Sequence, residues 1–151
     1  MKKLENEGRI TVAKELKDIL IKKGISPSYH RLKIYEYLMN NRIHPSADMI
    51  YADIIKLIPT LSKTTIYNTL KTFVGKGIVS SLTIEDNEIR YDADITFHAH
   101  FKCLNCNTVY DVGIDQLRSD KKLGMLKKID GHLITEKHIY LKGICKKCQQ
   151  H

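Results

Sequence analysis

The segment FHAHFKCLNC, residues 97–106, sets His98 and His100 one residue apart and follows them at once with Cys103 and Cys106. A second C-x-x-C pair, Cys145 and Cys148, comes after 38 intervening residues, and these four are the only cysteines in the chain. Each pair can sit on a tight knuckle, and two knuckles can close a tetrahedron of thiolates around zinc at about 2.3 Å per bond. Two disulfides or a thiol redox centre would use the same residues. In a reducing compartment, however, such pairs hold a metal more often than they oxidise. Four thiolates fill the shell and leave no position for a substrate. The expected role of a four-cysteine zinc site is therefore structural, supplying folding free energy to a small domain.

The histidines then need other company. On a strand, His98 and His100 point to the same face, because side chains alternate with period two. A hairpin folded symmetrically about the Cys103–Cys106 knuckle would set Asp111 opposite His98. Two imidazoles and a carboxylate on one face make an incomplete ligand set, which structural histidines could also explain.

The elements that must position these residues change character near Ala93. Before it, helical periodicity runs through residues 12–23 with Leu16, Ile19 and Leu20 on one face, and Gly24 is a natural stop. Pro27 opens a second helix with Leu32, Tyr35, Leu38 and Met39 on one face. Ser46 can cap a third that Pro59 terminates. Ser62 can cap a fourth, carrying Ile66, Leu70, Phe73 and Val74 and stopping at Gly75 or Gly77. Two strand-like runs, GIVSSLTI and EIRYDA, follow around Glu85-Asp86-Asn87. Helices followed by a hairpin make a winged helix-turn-helix, whose last helix enters the major groove. Beyond Ala93, FHAHFKC and TVYDVGI read as strands, residues 115–128 as a helix, and HLITEKHIYLKGIC as one long final strand. Residues 1–10 and 149–151 read as frayed ends. The expected fold is α+β, with a winged-helix domain over 1–92, a hinge about 92–96, and a small α/β dimerisation domain over 97–151.

The formal charge of +8 points to a polyanionic partner. No acidic residue lies between Asp53 and Glu85, whereas Lys56, Lys63, Lys71 and Lys76 all fall there. On the fourth helix the face opposite the apolar stripe offers Ser62, Lys63, Thr64, Thr65, Tyr67, Asn68 and Lys71. Hydroxyls, an amide and lysines suit phosphate oxygens and base edges in double-stranded DNA. The chain has no apolar run long enough for a membrane and no apolar stretch behind its first lysines, so a cytoplasmic protein is expected. An enzyme is not. A metallohydrolase of H-x-H-x-D type would need an acid where Lys102 stands, and a zinc deaminase needs H-x-E before its C-x-x-C. No organic small-molecule substrate is expected either.

The motifs R-L-K-I-Y-E-Y-L, H-P-S-A-D-M-I-Y, S-K-T-T-I-Y-N-T-L, G-I-V, R-Y-D, H-A-H-x-x-C-x-x-C and G-I-C-x-x-C occur in this order over roughly residues 10–148. In order and spacing they closely resemble the ferric uptake regulator (Fur) family of metal-dependent transcriptional repressors. The resemblance implies that Cys103, Cys106, Cys145 and Cys148 hold structural Zn²⁺. It further implies that His44, Asp92, His98, His100 and Asp111 hold a regulatory Fe²⁺ or Mn²⁺, and that a homodimer clasps an A/T-rich palindromic operator when that site is filled. Without the metal, the two halves should swing about the 92–96 linker.

Asp111 is similar to the peroxide-sensing (PerR) branch, where iron sensors usually carry the longer Glu. A second regulatory site of many iron sensors would need an acid at Ala99 and a histidine at Lys137, with His138 one place off, so that site is expected to be absent. His30, His132 and His151 match no ligand position. The resemblance thus implies a repressor released when hydrogen peroxide, through Fe²⁺, oxidises the ligands His44 and His98, with Mn²⁺ giving a peroxide-insensitive form. The alternative in the same class is an iron-responsive repressor that senses occupancy alone.

Overall fold

The computed structural model describes residues 13–85, 87–113 and 121–150, which divide into two compact units between Ile95 and Thr96. The N-terminal unit is built of helices α1 (13–22), α2 (Tyr29–Asn40), α3 (Ala47–Ile54) and α4 (Lys63–Gly75), followed by strands β1 (Ser80–Leu82) and β2 (Arg90–Asp92). Helices α2, α3 and α4 each start on a serine whose hydroxyl accepts a backbone N–H three residues on: Ser28 from Arg31, Ser46 from Met49 and Ser62 from Thr65. Each such cap is worth about 1 kcal/mol. Pro27 therefore precedes the cap and does not itself begin the helix.

Helices α1 and α4 end on one device. Gly24 and Gly77 take left-handed φ of 68° and 66°. The residue after each glycine donates back across the turn, Ile25 to the Leu20 carbonyl at 2.9 Å and Ile78 to that of Phe73 at 3.1 Å. The buried positions repeat at helical spacing, and Leu20, Ile34, Leu38, Ile50, Ile66, Leu70 and Phe73 meet in one core. Tyr35 and Phe73 pack edge to face at 5.5 Å between ring centroids. The expected faces of α2 and α4 are thus the buried ones, with Ile34 added and Leu32, Met39 and Val74 half-buried. Strands β1 and β2 pair antiparallel, Ser81 opposite Tyr91, and are shorter than the runs read as strands. Helices α2 to α4 with this hairpin make the winged helix.

The C-terminal unit contains β3 (Ala99–Cys103), β4 (Val109–Val112), α5 (Lys121–Met125), β5 (Lys128–Ile129), β6 (His132–Leu133), β7 (Ile139–Gly143) and a 3₁₀ turn at Cys148–Gln150. Its main sheet has the order β4-β3-β7, with β3 and β7 parallel. Several expectations fail here for local reasons. The final segment is not one long strand: β6 pairs with β5 across Asp130-Gly131, both at positive φ, while β7 joins the other sheet. The Asp-Gly turn just before that segment folds its first residues back onto β5, and residues 134–138, outside any strand, separate them from β7. The helix expected over 115–128 ends at Met125 for the same reason, and residues 114–120 of it lie outside the described residues. Residues 149–150 are not frayed, since Gln149 donates to the carbonyls of Cys145 at 3.0 Å and Ile144 at 2.7 Å. The frayed ends expected at residues 1–10 and 151, and Asp86 of the wing turn, fall outside the described residues.

A pair of alanine substitutions separates conformation from packing at the end of α4. Nothing lies within 4 Å of a Cβ built on Gly75 or Gly77, but only Gly77 has positive φ. Gly77→Ala is expected to cost about 1 kcal/mol and Gly75→Ala to add about 0.5–1 kcal/mol, read as opposite shifts of the urea midpoint.

Candidate metal centres and the polar face of the fourth helix

The parallel pairing of β3 with β7 explains how cysteines so far apart in sequence meet. In register, Cys103 lies opposite Gly143, so both knuckles follow the same end of the sheet. Leu104 N–H donates to the Gly143 carbonyl at 2.7 Å and Cys145 N–H to the Cys103 sulfur at 3.3 Å, locking one knuckle to the other. The four sulfurs all lie within 4.8 Å of one another, and those of Cys106 and Cys145 are 3.8 Å apart. Four thiolates about 2.3 Å from a tetrahedral zinc stand about 3.8 Å apart, so the donor set fits Zn²⁺. None of the four is in a disulfide.

The backbone N–H of Cys106 beside its sulfur holds the Cys103 thiol down at about 6. Hydrogen bonding to Tyr110 lowers Cys145. Cys148, hydrogen-bonded to Cys145, is instead pushed up to about 12. Sulfurs this close cannot all carry charge without a cation, and a bound Zn²⁺ supplies it.

The other donors gather within each unit. In the N-terminal unit, His44 Nε2 lies 3.6 Å from Asp92 Oδ2, and both side chains are buried. His44 precedes Pro45 and holds φ at 52°, a left-handed conformation that a non-glycine residue keeps only where its surroundings impose it. Those surroundings are β2, whose Tyr91 N–H donates to the Pro45 carbonyl at 3.0 Å. In the C-terminal unit, His98 Nε2 is 3.0 Å and His100 Nε2 3.6 Å from Asp111 Oδ1, with the two rings 4.4 Å apart between centroids. His98 Nδ1 lies 2.8 Å from the Thr96 carbonyl. A carbonyl only accepts, so Nδ1 carries a hydrogen, and Nε2, which faces Asp111, is the ring nitrogen that could serve a metal. Neighbouring ligands about 2.1 Å from an octahedral ion stand about 3.0 Å apart, close to these separations.

The register differs from the symmetric hairpin expected. Asp111 pairs with His100, not with His98. Asn107, at a φ of 57°, lengthens the turn, and Cys103 N–H donates to the Thr108 carbonyl. A slip of two residues keeps the same face, so the carboxylate still reaches both rings. The second-site position is taken by Lys137, whose ammonium donates to the Gly124 carbonyl at 2.7 Å. His138 lies against Tyr140, 5.5 Å between centroids. His30 is half-buried and His132 exposed, while His151 lies outside the described residues.

On α4, Ser62, Lys63, Thr64, Tyr67, Asn68 and Lys71 are exposed and Thr65 half-buried, so the polar face is turned outward. Ser62 and Thr65 hydroxyls share a hydrogen bond of 2.9 Å. The fold adds an acid to this basic stretch: Asp48, on α3, lies 3.1 Å from Lys63 Nζ, and that hydrogen bond raises the lysine. Both partners are exposed, so the pair contributes little to stability. Arg90, quoted in the sequence only as part of R-Y-D, was given no role of its own, and its side chain is only 12% exposed. The signal was an arginine inside a strand-like run.

The ferric uptake regulator family model matches residues 22–141. The chain belongs to the ferric uptake regulator family. It is 33% identical over 126 residues to the peroxide-responsive repressor PerR of Staphylococcus aureus, covering 83% of this chain and 84% of that one. Identity to the peroxide operon regulator of Bacillus subtilis is 30% over 140 residues, 91% and 93% of the two chains. The fold is that of the Helicobacter pylori ferric uptake regulator Fur, at a TM-score of 0.70 and 21% identity over 93% of both chains. The Campylobacter jejuni peroxide stress regulator superposes at a TM-score of 0.66 with 26% identity, over 89% of this chain and 97% of that one. As a member of the Fur family, the chain is a metal-dependent transcriptional regulator. No helix among the described residues is long and apolar enough to cross a membrane.

Replacing Cys106 by Ser removes one of four zinc donors. The Cys106→Ser protein is expected to lose its tightly held zinc and the cooperative melting of its C-terminal unit, read by metal analysis and calorimetry. An unchanged zinc content would remove Cys106 from the site.

Proposed function

We propose that this protein is a homodimeric repressor that binds an A/T-rich palindromic operator in its metal-loaded form and releases it when hydrogen peroxide oxidises a ligand histidine. The observation that carries the reading is the division of imidazole and carboxylate donors between the two units. His44 and Asp92 belong to the DNA-binding unit, and His98, His100 and Asp111 to the other. Imidazoles and carboxylates suit Fe²⁺ or Mn²⁺ better than a thiophilic ion, and Cys103, Cys106, Cys145 and Cys148 already account for Zn²⁺. One ion taking ligands from both units would govern how the recognition helices are presented to DNA.

The residues divide the work. His44 and Asp92 bring the winged helix under control of the site, while His98, His100 and Asp111 anchor it to the dimerising unit. Asp111, one methylene shorter than Glu, supports the peroxide-responsive reading, as does similarity to the Staphylococcus aureus and Bacillus subtilis peroxide regulators. Fe²⁺ bound there would supply the redox chemistry by which peroxide gives one oxygen to an imidazole carbon, its second oxygen leaving as water. Oxygen added to His44 or His98 makes the imidazole a poorer donor, and the ligand set loosens. Ser62, Lys63, Thr64, Thr65, Tyr67, Asn68 and Lys71 then lose the placement that fits successive major grooves. The ligand set acts only through the difference in metal affinity between the DNA-binding and released forms.

His44→Asn tests this without confusing ligand loss with backbone strain, because Asn tolerates left-handed φ far better than Ala. Mn²⁺-dependent gel shift on A/T-rich palindromes is expected to fall at least about 10-fold in affinity, with zinc content and helix content unchanged. Wild-type Mn²⁺ dependence in His44→Asn would remove His44 from the regulatory set.

A further inference from the structure

The wing of this basic protein carries acids on either side of its tip, and one buried guanidinium holds both. Arg90 Nη2 lies 2.8 Å from Glu85 Oε1, and Arg90 Nε 3.2 Å from Glu88 Oε2. The third nitrogen turns the other way: Nη1 donates to the His44 carbonyl at 3.4 Å and lies 3.2 Å from the Met49 sulfur. The neighbouring backbone repeats the connection, with Ser46 bridged to Arg90 and Tyr91 N–H donating to the Pro45 carbonyl at 3.0 Å. Two residues after Arg90, on the same strand, stands Asp92.

We propose that Arg90 is a positioning residue that couples the His44–Asp92 pair to the wing, so that metal occupancy sets the wing for DNA from within the N-terminal unit. This rests on the reading of His44 and Asp92 as metal ligands. A guanidinium presents its N–H groups in a rigid planar fork, so the positions of its partners are not independent. Movement of the His44 carbonyl turns the fork, and the two carboxylates follow. The His44 backbone is the part able to move, since its left-handed φ ahead of a proline is kept only by its neighbours. An ion that draws the His44 and Asp92 side chains together fixes that carbonyl. The charges point the same way. While Arg90 holds them, half the charge of Glu85 and Glu88 is offset, whereas released carboxylates on a wing would repel the phosphates it approaches. Lys could carry the charge at position 90 but not the fork.

The readout is the ratio of DNA affinity with Mn²⁺ to that without it, which by linkage equals the effect of DNA on metal affinity. Glu85→Gln/Glu88→Gln removes two negative charges from the wing, so it is expected to raise DNA affinity in both states but to lower the ratio about five-fold or more. Arg90→Lys is expected to lower the ratio to a similar extent. Amide hydrogen exchange in peptides covering 83–89 should slow on adding Mn²⁺ to the wild type and change little in either variant. A merely structural Arg90 would lower the melting temperature and leave the ratio alone. A wild-type ratio in Glu85→Gln/Glu88→Gln, with Mn²⁺ still slowing wing exchange, would overturn the coupling and leave the ligand assignment standing. A ratio of one in the wild type itself would overturn both.

Discussion

The C-terminal unit depends on one alignment, the parallel pairing of β3 with β7. It sets Cys103 beside Gly143, brings the two C-x-x-C knuckles to one end of the sheet, and gathers thiols that resist ionising together. The same strand β3 begins beside His98 and carries His100 on the face that Asp111 reaches from β4. A zinc ion bound by the four thiolates would therefore fix more than its own ligands. It would hold the turn whose length decides which residues of β3 and β4 face each other, and so the geometry of the second donor set. In a unit this small, with a three-stranded sheet and a two-stranded hairpin, such a cross-link supplies what a thin core cannot.

The N-terminal unit obeys a different constraint. Its core is a conventional meeting of amphipathic helices, and its unusual feature is the strained segment from His44 to Ser46 that β2 pins in place. Pro45 and Ser46 are committed to starting α3, and Asp92 ends β2. The histidine and the carboxylate are thus brought to 3.6 Å by the start of α3 and the end of β2, two elements of the winged helix. A ligand placed at such a junction can influence a binding surface that it does not touch, because the junction has few ways to rearrange.

Much of this was legible in the sequence, unevenly. Serine caps, glycine stops and helical stripes are local and strong, so α2, α3 and α4 were readable from Ser46, Ser62, Leu38 and Phe73. The cysteine pairs announced zinc because few other chemistries need four thiols at that spacing. The histidine pair with Asp111 was recognisable by face, but its register was not, because Asn107 at positive φ lengthens the turn by a means that composition does not reveal. Asp130-Gly131 was a readable turn signal, left unread between the expected helix and the expected final strand. The placing of Asp48 beside Lys63 and the burial of Arg90 against Glu85, Glu88 and His44 are products of tertiary packing. No periodicity encodes them. His44 and Asp92 entered the expected ligand set only through family resemblance, since nothing local in the sequence marks either residue.

In the proposed function, His44 and His98 are ligands placed where iron chemistry reaches them. The most direct measurement loads the reduced protein with Fe²⁺ without oxygen, exposes it to a small excess of peroxide, and maps added oxygen by peptide mass spectrometry. Peroxide sensing at these ligands predicts an added oxygen on His44 or His98 that is absent from a Mn²⁺ control. Intact histidines, in a protein whose DNA binding still depends on metal, would contradict it and leave a repressor that responds to metal occupancy alone.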